Sequence, residues 1–284
     1  MSPQVQLVHV FPAGPGGGNP APIVIDADDM SDGDMRAVAR SYGHESGFVR
    51  SAPPAADHDF ELRFWVPNHE MSMCGHATVG AVWLLDRLGR LPAGDVVLHT
   101  RSGLVTARSI DGGAEITQPP GRIAPVADEA VPAILDVLGM TAADLAPLPI
   151  QNACTSRVKT LVPVADVSVL DGLRPDFDRV PQVCDLIEST GLYPYAPFDP
   201  AGQVFDARQF PRSSGYPEDA ATGIAAAALA FGLLDSGSVE RGDRSIRIRQ
   251  GRAMGRPSEI AVRFSTSGDT VTGVWLGGKV TSTR

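Results

Sequence analysis

The chain has 284 residues, of which 43% are hydrophobic and 20% charged, and its net charge at pH 7 is −9. This length and composition fit one large or two ordinary globular domains and exclude a low-complexity protein. The negative charge argues against nucleic acid or an anionic membrane as a partner. Arginines concentrate only in residues 241–256, where they largely alternate with apolar or small residues, as on the solvent-facing side of a strand.

The three cysteines, Cys74, Cys154 and Cys184, are scattered, so neither a disulfide framework nor a metal site is predicted. The first residues lack the basic region and apolar core of a signal peptide. The longest apolar run, 224–234, is too short to span a bilayer. We therefore expect a cytoplasmic protein with reduced cysteines.

The first elements are strands over 5–10 and 23–25, joined by a glycine-rich stretch at 14–20. No Gly-Lys-Ser/Thr follows these glycines, which favours a hairpin connection over a phosphate-binding loop. Ser31 is a candidate N-cap for a helix that Gly43 ends. The apolar stripe of this helix consists of Met35, Val38, Ala39 and Tyr42.

Glu45 follows this helix, at the corner before a short strand over 47–49. A carboxyl in a turn that leads into an apolar strand is a candidate for partial burial, and partial burial suits a carboxyl for proton transfer. A solvated surface glutamate is the alternative interpretation.

A strand over 60–66 leads to a nearly all-apolar helix predicted from about residue 77 to 88, directly after Cys74-Gly75-His76. A nearly all-apolar composition is typical of a helix that is buried on all sides. Its N-terminal N–H groups and partial positive charge favour an anionic ligand. An ordinary core helix with a glycine entry turn, and a structural role for His76, remain open.

A strand predicted over 205–210 leads to the acidic turn Pro217-Glu218-Asp219, and a second helix of the same kind is predicted over 222–234. Short strands surround each of these two helices, and further helices are predicted at 131–138 and 180–188. Regular alternation of strands and helices, which a parallel nucleotide-binding fold requires, is absent from the pattern. The sequence therefore predicts an α+β protein whose two halves each curl a sheet around one buried helix.

Seven motifs, in one order along nearly the whole chain, resemble those of the phenazine-biosynthesis-like (PhzF-like) isomerase family, a branch of the diaminopimelate-epimerase-like fold. They are residues 18–21, 45–49, 62–64, 74–78, 218–223, 250–258 and 277–278.

The resemblance implies two pseudo-symmetric domains, each a curled mixed β-sheet or barrel around a central buried α-helix. Residues 1–119 would form the N-terminal domain, to which a C-terminal strand at about 268–284 returns, and residues 120–267 would form the second. The active site would lie in the cleft between them. Members of the family act without a metal or organic cofactor and many are homodimers, so we expect the same of this chain.

The resemblance also implies an isomerase that moves a double bond by proton transfer in a small carboxylated, possibly cyclic and amino-acid-derived, substrate of specialised-metabolite biosynthesis. Glu45 would be the general acid/base, and His76 would relay or position a proton with Asp219 fixing its tautomer. The residues implied in substrate binding are Cys74, Gly75, Thr222, Gly223 and Ile224.

Two departures from the family pattern bear on the substrate. Ile224 replaces the usual serine, which makes the pocket more apolar there, and His44 is an unusual neighbour for Glu45. Cys74 resembles the first catalytic cysteine of the epimerase branch, so a cysteine-based epimerase or dehydratase is the alternative, although Thr222 holds the position of the second cysteine. A non-catalytic relative that binds a small acid is the third interpretation.

Overall fold

The computed structural model describes residues 4–242 and 244–282 and divides into two units. Unit 1 contains residues 1–13, 18–117 and 277–284, and unit 2 contains residues 14–17 and 118–276. Residues 1–3, 243 and 283–284, which the predicted domain ranges include, lie outside the described residues. The predicted domain division after residue 119 remains a prediction.

Unit 1 is a mixed sheet that closes on itself. Its strands are β1 (Val5–Val10), β2 (Asn19–Val24), β3 (Ser46–Ser51), β4 (Phe60–Trp65), β5 (Glu70–Met71), β6 (Val96–Thr100), β7 (Gly103–Ile110) and β8 (Gly113–Gln118), with the end of β17 (Thr270–Ser282). Pairing runs from β1 through β2, β3, β4, β6, β7 and β8 to β17, and β17 pairs again with β1. The result is a closed barrel of eight strands.

Two helices belong to unit 1, α1 (Asp32–Tyr42) and α2 (Gly75–Arg87). Helix α2 packs against β1, β2, β3 and β7, and every residue from Gly75 to Leu85 is buried. A helix apolar on all sides requires such surroundings, so the predicted burial is confirmed. Helix α2 begins at Gly75, two residues before the predicted start at about residue 77.

Helix α1 confirms its predicted ends. Ser31 forms a capping box with Asp34, and Gly43 ends the helix in the left-handed conformation with φ 67°. Met35, Val38 and Ala39 face the core as predicted. Tyr42, predicted in the same apolar stripe, is instead 39% exposed, at the last position of the helix.

Unit 2 contains β9 (Arg122–Pro125), α3 (Val131–Leu138), β10 (Gln151–Cys154), β11 (Val158–Pro163), α4 (Val167–Gly172), α5 (Val180–Leu186), β12 (Gly191–Asp199), β13 (Val204–Ala207), β14 (Phe210–Pro211), α6 (Gly223–Asp235), β15 (Ile246–Gln250) and β16 (Ser258–Ser267). Pairing runs from β9 through β10, β11, β12, β13 and β15 to β16, and β14 pairs with β12. Within this unit α6 packs against β9, β10, β11 and β16, and residues Gly223 to Leu233 are all buried.

The structure corrects several predicted elements of unit 2. Strands β9 and β10 and helix α4 were not predicted, and residues 205–210, predicted as one strand, are divided between β13 and β14. Pro119 and Pro120 precede β9 and Pro125 ends it, and β10 is only four residues long. Both strands therefore depend on pairing with each other more than on their local sequence pattern.

The fold class predicted from the sequence, α+β with a curled sheet or barrel around a buried helix, is confirmed. Among the described residues, no helix has both the length and the apolar character needed to cross a membrane.

Candidate active site

Glu45 lies where α1 has ended and β3 begins. Gly43 turns the chain out of the helix, and Ser46 pairs with Trp65 at the start of the β3–β4 ladder. This fixes the backbone on both sides of Glu45, whose side chain is only 12% exposed. The carboxyl is thus partly buried, as the sequence predicted.

Three chemically active side chains meet at this point in unit 1. The Cys74 thiol donates a hydrogen bond to Glu45 Oε2 over 3.0 Å, and His76 Nδ1 lies 3.5 Å from the same oxygen. Cys74 Sγ is also 3.5 Å from His76 Nδ1. Because Cys74 and His76 are both buried, water screens these interactions little.

The same residues open helix α2. Cys74 is its N-cap residue, and the first intrahelical bond runs from Thr78 N–H to Cys74 C=O. The N–H groups of Gly75 and His76 therefore precede the helical ladder, and the first turn contains no acidic side chain. The positive end of the helix dipole adds to these donors, so this end of α2 suits an anion such as a carboxylate.

The predicted residues of unit 2 form a second cluster. The Thr222 hydroxyl donates to Asp219 Oδ2 over 2.5 Å, and Asp219 N–H donates to the Gln209 carbonyl. Thr222 is the N-cap of α6, and Gly223 and Ile224 form its first turn, which also contains no acidic residue. Ala225 makes the first bond of the helix, to the Thr222 carbonyl.

Gln250 ties this cluster together and has no predicted role. Its Nε2 donates to the Asp219 carbonyl at 2.7 Å and to Thr222 Oγ1 at 3.1 Å. Its Oε1 accepts from the Tyr193 hydroxyl at 2.9 Å and from Thr222 N–H at 3.3 Å. Burial, and to a lesser degree the charge of Asp219, raises the pKa of Tyr193, so this phenol remains a neutral donor.

Arg208 anchors the segment before Asp219 and was also missed from the sequence. Its guanidinium binds Glu218 through two parallel bonds of 2.9 and 2.8 Å, and both side chains are 9% exposed. The remaining Nη1 donates to the carbonyls of Leu170 and Leu173. Such a satisfied buried pair fixes the loop that carries Asp219. Gln250 lies in one of the quoted motifs, but Arg208 gave no local signal.

The structure therefore places the predicted residues in two groups. Glu45, Cys74, Gly75 and His76 lie together in unit 1, and Asp219, Thr222, Gly223 and Ile224 lie together in unit 2. In the first group, a carboxyl oxygen, a thiol sulfur and an imidazole nitrogen all lie within 4.8 Å of one another, a donor set that can also accept a thiophilic cation.

Comparison with known proteins identifies the class of protein that this architecture defines. The closed barrel around α2 is the diaminopimelate-epimerase-like fold: a PhzF-family phenazine biosynthesis protein from Bacillus anthracis superposes with a TM-score of 0.87 at 23% identity, over 99% of this chain and 96% of that one. This likeness establishes the fold.

The chain belongs to the phenazine biosynthesis-like protein family, whose model matches residues 8–283. The uncharacterized isomerase YddE of Escherichia coli O157:H7 is 31% identical over 271 residues, which are 92% of this chain and 90% of the relative. The trans-2,3-dihydro-3-hydroxyanthranilate isomerase of Pseudomonas aeruginosa is 28% identical over 285 residues, 96% and 94% of the two chains. The chain is thus an isomerase, and the resemblance of its motifs is confirmed.

Proposed function

We propose that this isomerase moves a carbon–carbon double bond in a small cyclic carboxylic acid, of the dihydro-hydroxyanthranilate type, with Glu45 as the general acid/base. The observation that carries the proposal is the position of the Glu45 carboxyl, partly buried and within 3.5 Å of His76, beside the N-terminus of α2. A proton-transfer group and an anion-binding helix end thus adjoin each other.

The proposed reaction removes one proton from the substrate and adds one proton at a different carbon. The Glu45 carboxylate takes a proton from one carbon of the substrate, and the electrons of the C–H bond form a new double bond as the old one shifts along the ring. The acid proton of Glu45 exchanges with water, and Glu45 then delivers a proton to the far carbon, so that substrate and product have the same composition. Negative charge that develops on the substrate during this transfer is stabilised by the N–H groups of Gly75 and His76.

His76 and Cys74 assist Glu45 in this proposal. Both lie within 3.5 Å of Glu45 Oε2, and both can donate to a carboxylate. Both contacts are made to the same carboxyl oxygen of Glu45, Oε2. In unit 2, Asp219, Thr222, Gly223 and Ile224 are proposed to bind the substrate, which the hydrogen bonds of Gln250 and Arg208 support by fixing their loop.

A cysteine-based epimerase or dehydratase is the second candidate, because Cys74 contacts both a base and a carboxyl. Cys74 and Thr222 occupy the same position, the N-cap, on the two central helices. Thr222 cannot act as a second thiol, and its hydroxyl already donates to Asp219. A one-cysteine scheme gives Glu45 no role in proton transfer, so substitutions of these two residues separate the candidates.

The test uses purified wild-type, Glu45→Gln and Cys74→Ser proteins with trans-2,3-dihydro-3-hydroxyanthranilate, followed by absorbance and NMR. Glutamine keeps the shape of Glu45 but cannot exchange a proton with carbon, so turnover is expected to fall by at least about 10²-fold. Serine keeps the donor to Glu45, so most of the activity is expected to remain.

An exposed glutamate provides the matched control, Glu129→Gln, for which wild-type turnover is expected. Loss of activity in Cys74→Ser together with survival in Glu45→Gln would overturn the proposal in favour of the cysteine mechanism. Absence of turnover by the wild-type protein would contradict the proposed substrate type.

A further inference from the structure

Two histidines and a glutamate that the isomerase site does not use meet at the surface of unit 1. His58 precedes strand β4, Glu61 lies on β4, and His99 lies on β6. The parallel β4–β6 pairing sets Glu61 directly opposite His99. The three donor atoms, one from each side chain, all lie within 4.8 Å of one another.

The segment that carries His58 is held firmly against β6. The Asp59 N–H donates to the Val97 carbonyl over 2.7 Å, and the Val97 N–H donates to Asp59 Oδ2 over 2.7 Å. These reciprocal bonds fix the backbone beside His58, so the position of its ring does not depend on a loose loop.

Asp57 sets the orientation of the His58 ring. His58 Nδ1 lies 3.0 Å from Asp57 Oδ1, which favours the tautomer with the proton on Nδ1 and the lone pair on Nε2. A carboxylate behind the imidazole is the usual support of a metal-binding histidine.

His58 Nε2 is the atom that requires an explanation. The side chain is 9% exposed, and among the described residues this buried nitrogen finds no hydrogen-bond partner. Glu61 Oε1 is 3.8 Å away, too far for a hydrogen bond, and two acceptors face each other there. Buried polar atoms are nearly always satisfied by protein, water or an ion.

The other two side chains each offer a ligand atom near His58 Nε2. Arg50 lies 3.6 Å from Glu61 Oε2, and the other oxygen, Oε1, faces His58. The His99 ring is exposed and stacks on His58 at a centroid distance of 5.0 Å and an interplanar angle of 28°.

We propose that His58 Nε2, Glu61 Oε1 and a ring nitrogen of His99 bind a zinc ion, with water as the fourth ligand. Two imidazoles and a carboxylate are a ligand set that suits zinc, whereas calcium and magnesium prefer oxygen ligands. Bonds of about 2.1 Å in a tetrahedron require ligand atoms about 3.4 Å apart. His58 Nε2 and Glu61 Oε1, now 3.8 Å apart, are close to this separation, and the His99 nitrogen, within 4.8 Å of both, has to move closer. The ion joins residue 58 to β4 and β6 and thereby stabilises unit 1.

The test titrates untagged, metal-free full-length protein with Zn²⁺ and with Co²⁺, followed by calorimetry and by visible absorption. The Cys74 triad also offers metal ligands, but cobalt bound there shows thiolate charge-transfer absorption, which a His58–Glu61–His99 site lacks. We expect a site without this absorption, and a rise in melting temperature with zinc because the metal binds only the folded chain.

His99→Ala removes an exposed ligand without disturbing the fold and is expected to weaken this site by at least about tenfold. Asp57→Ala removes only the support of His58 and is expected to weaken it by about 10–100-fold. The matched control is His69→Ala, an exposed histidine of the same unit outside the triad. Equal zinc affinity in the His99→Ala and His69→Ala proteins, or binding only with the thiolate absorption, would overturn the proposal. None of these readouts depends on the isomerase reaction.

Discussion

Gln250 shows how a single side chain organises the unit 2 part of the candidate site. Its carboxamide contacts the Asp219 carbonyl, the Thr222 hydroxyl and N–H, and the Tyr193 hydroxyl. All four interactions are buried or partly buried, so replacing the amide leaves groups that water cannot easily satisfy. Gln250 does not carry out chemistry itself; it positions Asp219 and Thr222.

Gln250→Leu is therefore expected to destabilise the protein by about 1–3 kcal/mol, measured by urea unfolding, because leucine fills the space and makes none of these bonds. It is also expected to raise KM for the substrate, since Asp219 and Thr222 lose their fixed positions. Gln182→Leu, at an exposed glutamine of the same unit, is the control. Unchanged stability and KM in Gln250→Leu would show that the amide is dispensable.

Cys74 illustrates what residue-level sequence analysis misses. The sequence predicted the thiol as a substrate contact or, in the alternative interpretation, as the catalytic cysteine of an epimerase or dehydratase, and both remain proposals. It could not indicate the hydrogen bond from Cys74 to Glu45, because 29 positions separate the two residues and only the approach of β3 to the start of α2 brings them together.

At the scale of elements, glycines determine how the unit 1 barrel closes. A Cβ at Gly113 on β8 would lie 1.9 Å from the Gly278 carbonyl oxygen on β17, and a Cβ at Gly277 would lie 2.5 Å from the Ala114 carbonyl oxygen. These atoms belong to backbone, which cannot rotate away. The Gly277-Gly278 motif noted in the sequence thus has a structural reason, the close approach of two strands.

Gly113→Ala is accordingly expected to lower the free energy of unfolding by about 1–3 kcal/mol or more, because the β8–β17 seam must open. Gly33→Ala is the control, for which the opposite change in stability is expected. It lies in α1, where a Cβ would meet only Ser31 Oγ at an ordinary 3.6 Å, so it is expected to stabilise by about 0.5–1 kcal/mol. Chemical denaturation of both variants measures the contrast, and equal stabilities would contradict this account of the seam.

The elements that the sequence predicted well are those whose signals are local. Helix α3 was predicted over 131–138 and spans Val131–Leu138, with proline in its first turn and Gly139 left-handed after its end. Helices α2 and α6 were identified by apolar runs that demand burial. Strand β9 was not predicted, since Pro119 and Pro120 precede it and Pro125 ends it, and it forms by pairing with β10.

At the scale of the molecule, an ion-pair network spans several elements of unit 1. Glu70 accepts from Arg63 Nε over 2.7 Å and from Arg101 over 2.6 Å, and Arg63 also binds Asp32 at the start of α1. The hydrogen bond from Arg63 lowers the pKa of Glu70 from its ordinary value of 4.5. A carboxyl whose pKa is lower in the folded state stabilises the fold above its unfolded pKa, and this contribution disappears as pH falls through the folded pKa.

Glu70→Gln is therefore expected to be less stable than the wild type at pH 7, and the difference is expected to shrink from about pH 4.5 downwards. The measurement is the free energy of urea unfolding of both proteins at a series of pH values. A difference that stays constant from pH 7 to pH 3 would mean that the charge of Glu70 does not contribute.

The central claim is that Glu45 transfers the proton of an isomerase reaction. The most direct measurement follows the substrate in deuterated water by NMR with wild-type and Glu45→Gln proteins, both shown to be folded by circular dichroism. The account predicts that the wild-type protein introduces solvent deuterium at the carbon that receives the proton, and that Glu45→Gln introduces it at least about 10²-fold more slowly. Deuterium uptake by Glu45→Gln at the wild-type rate would contradict the account.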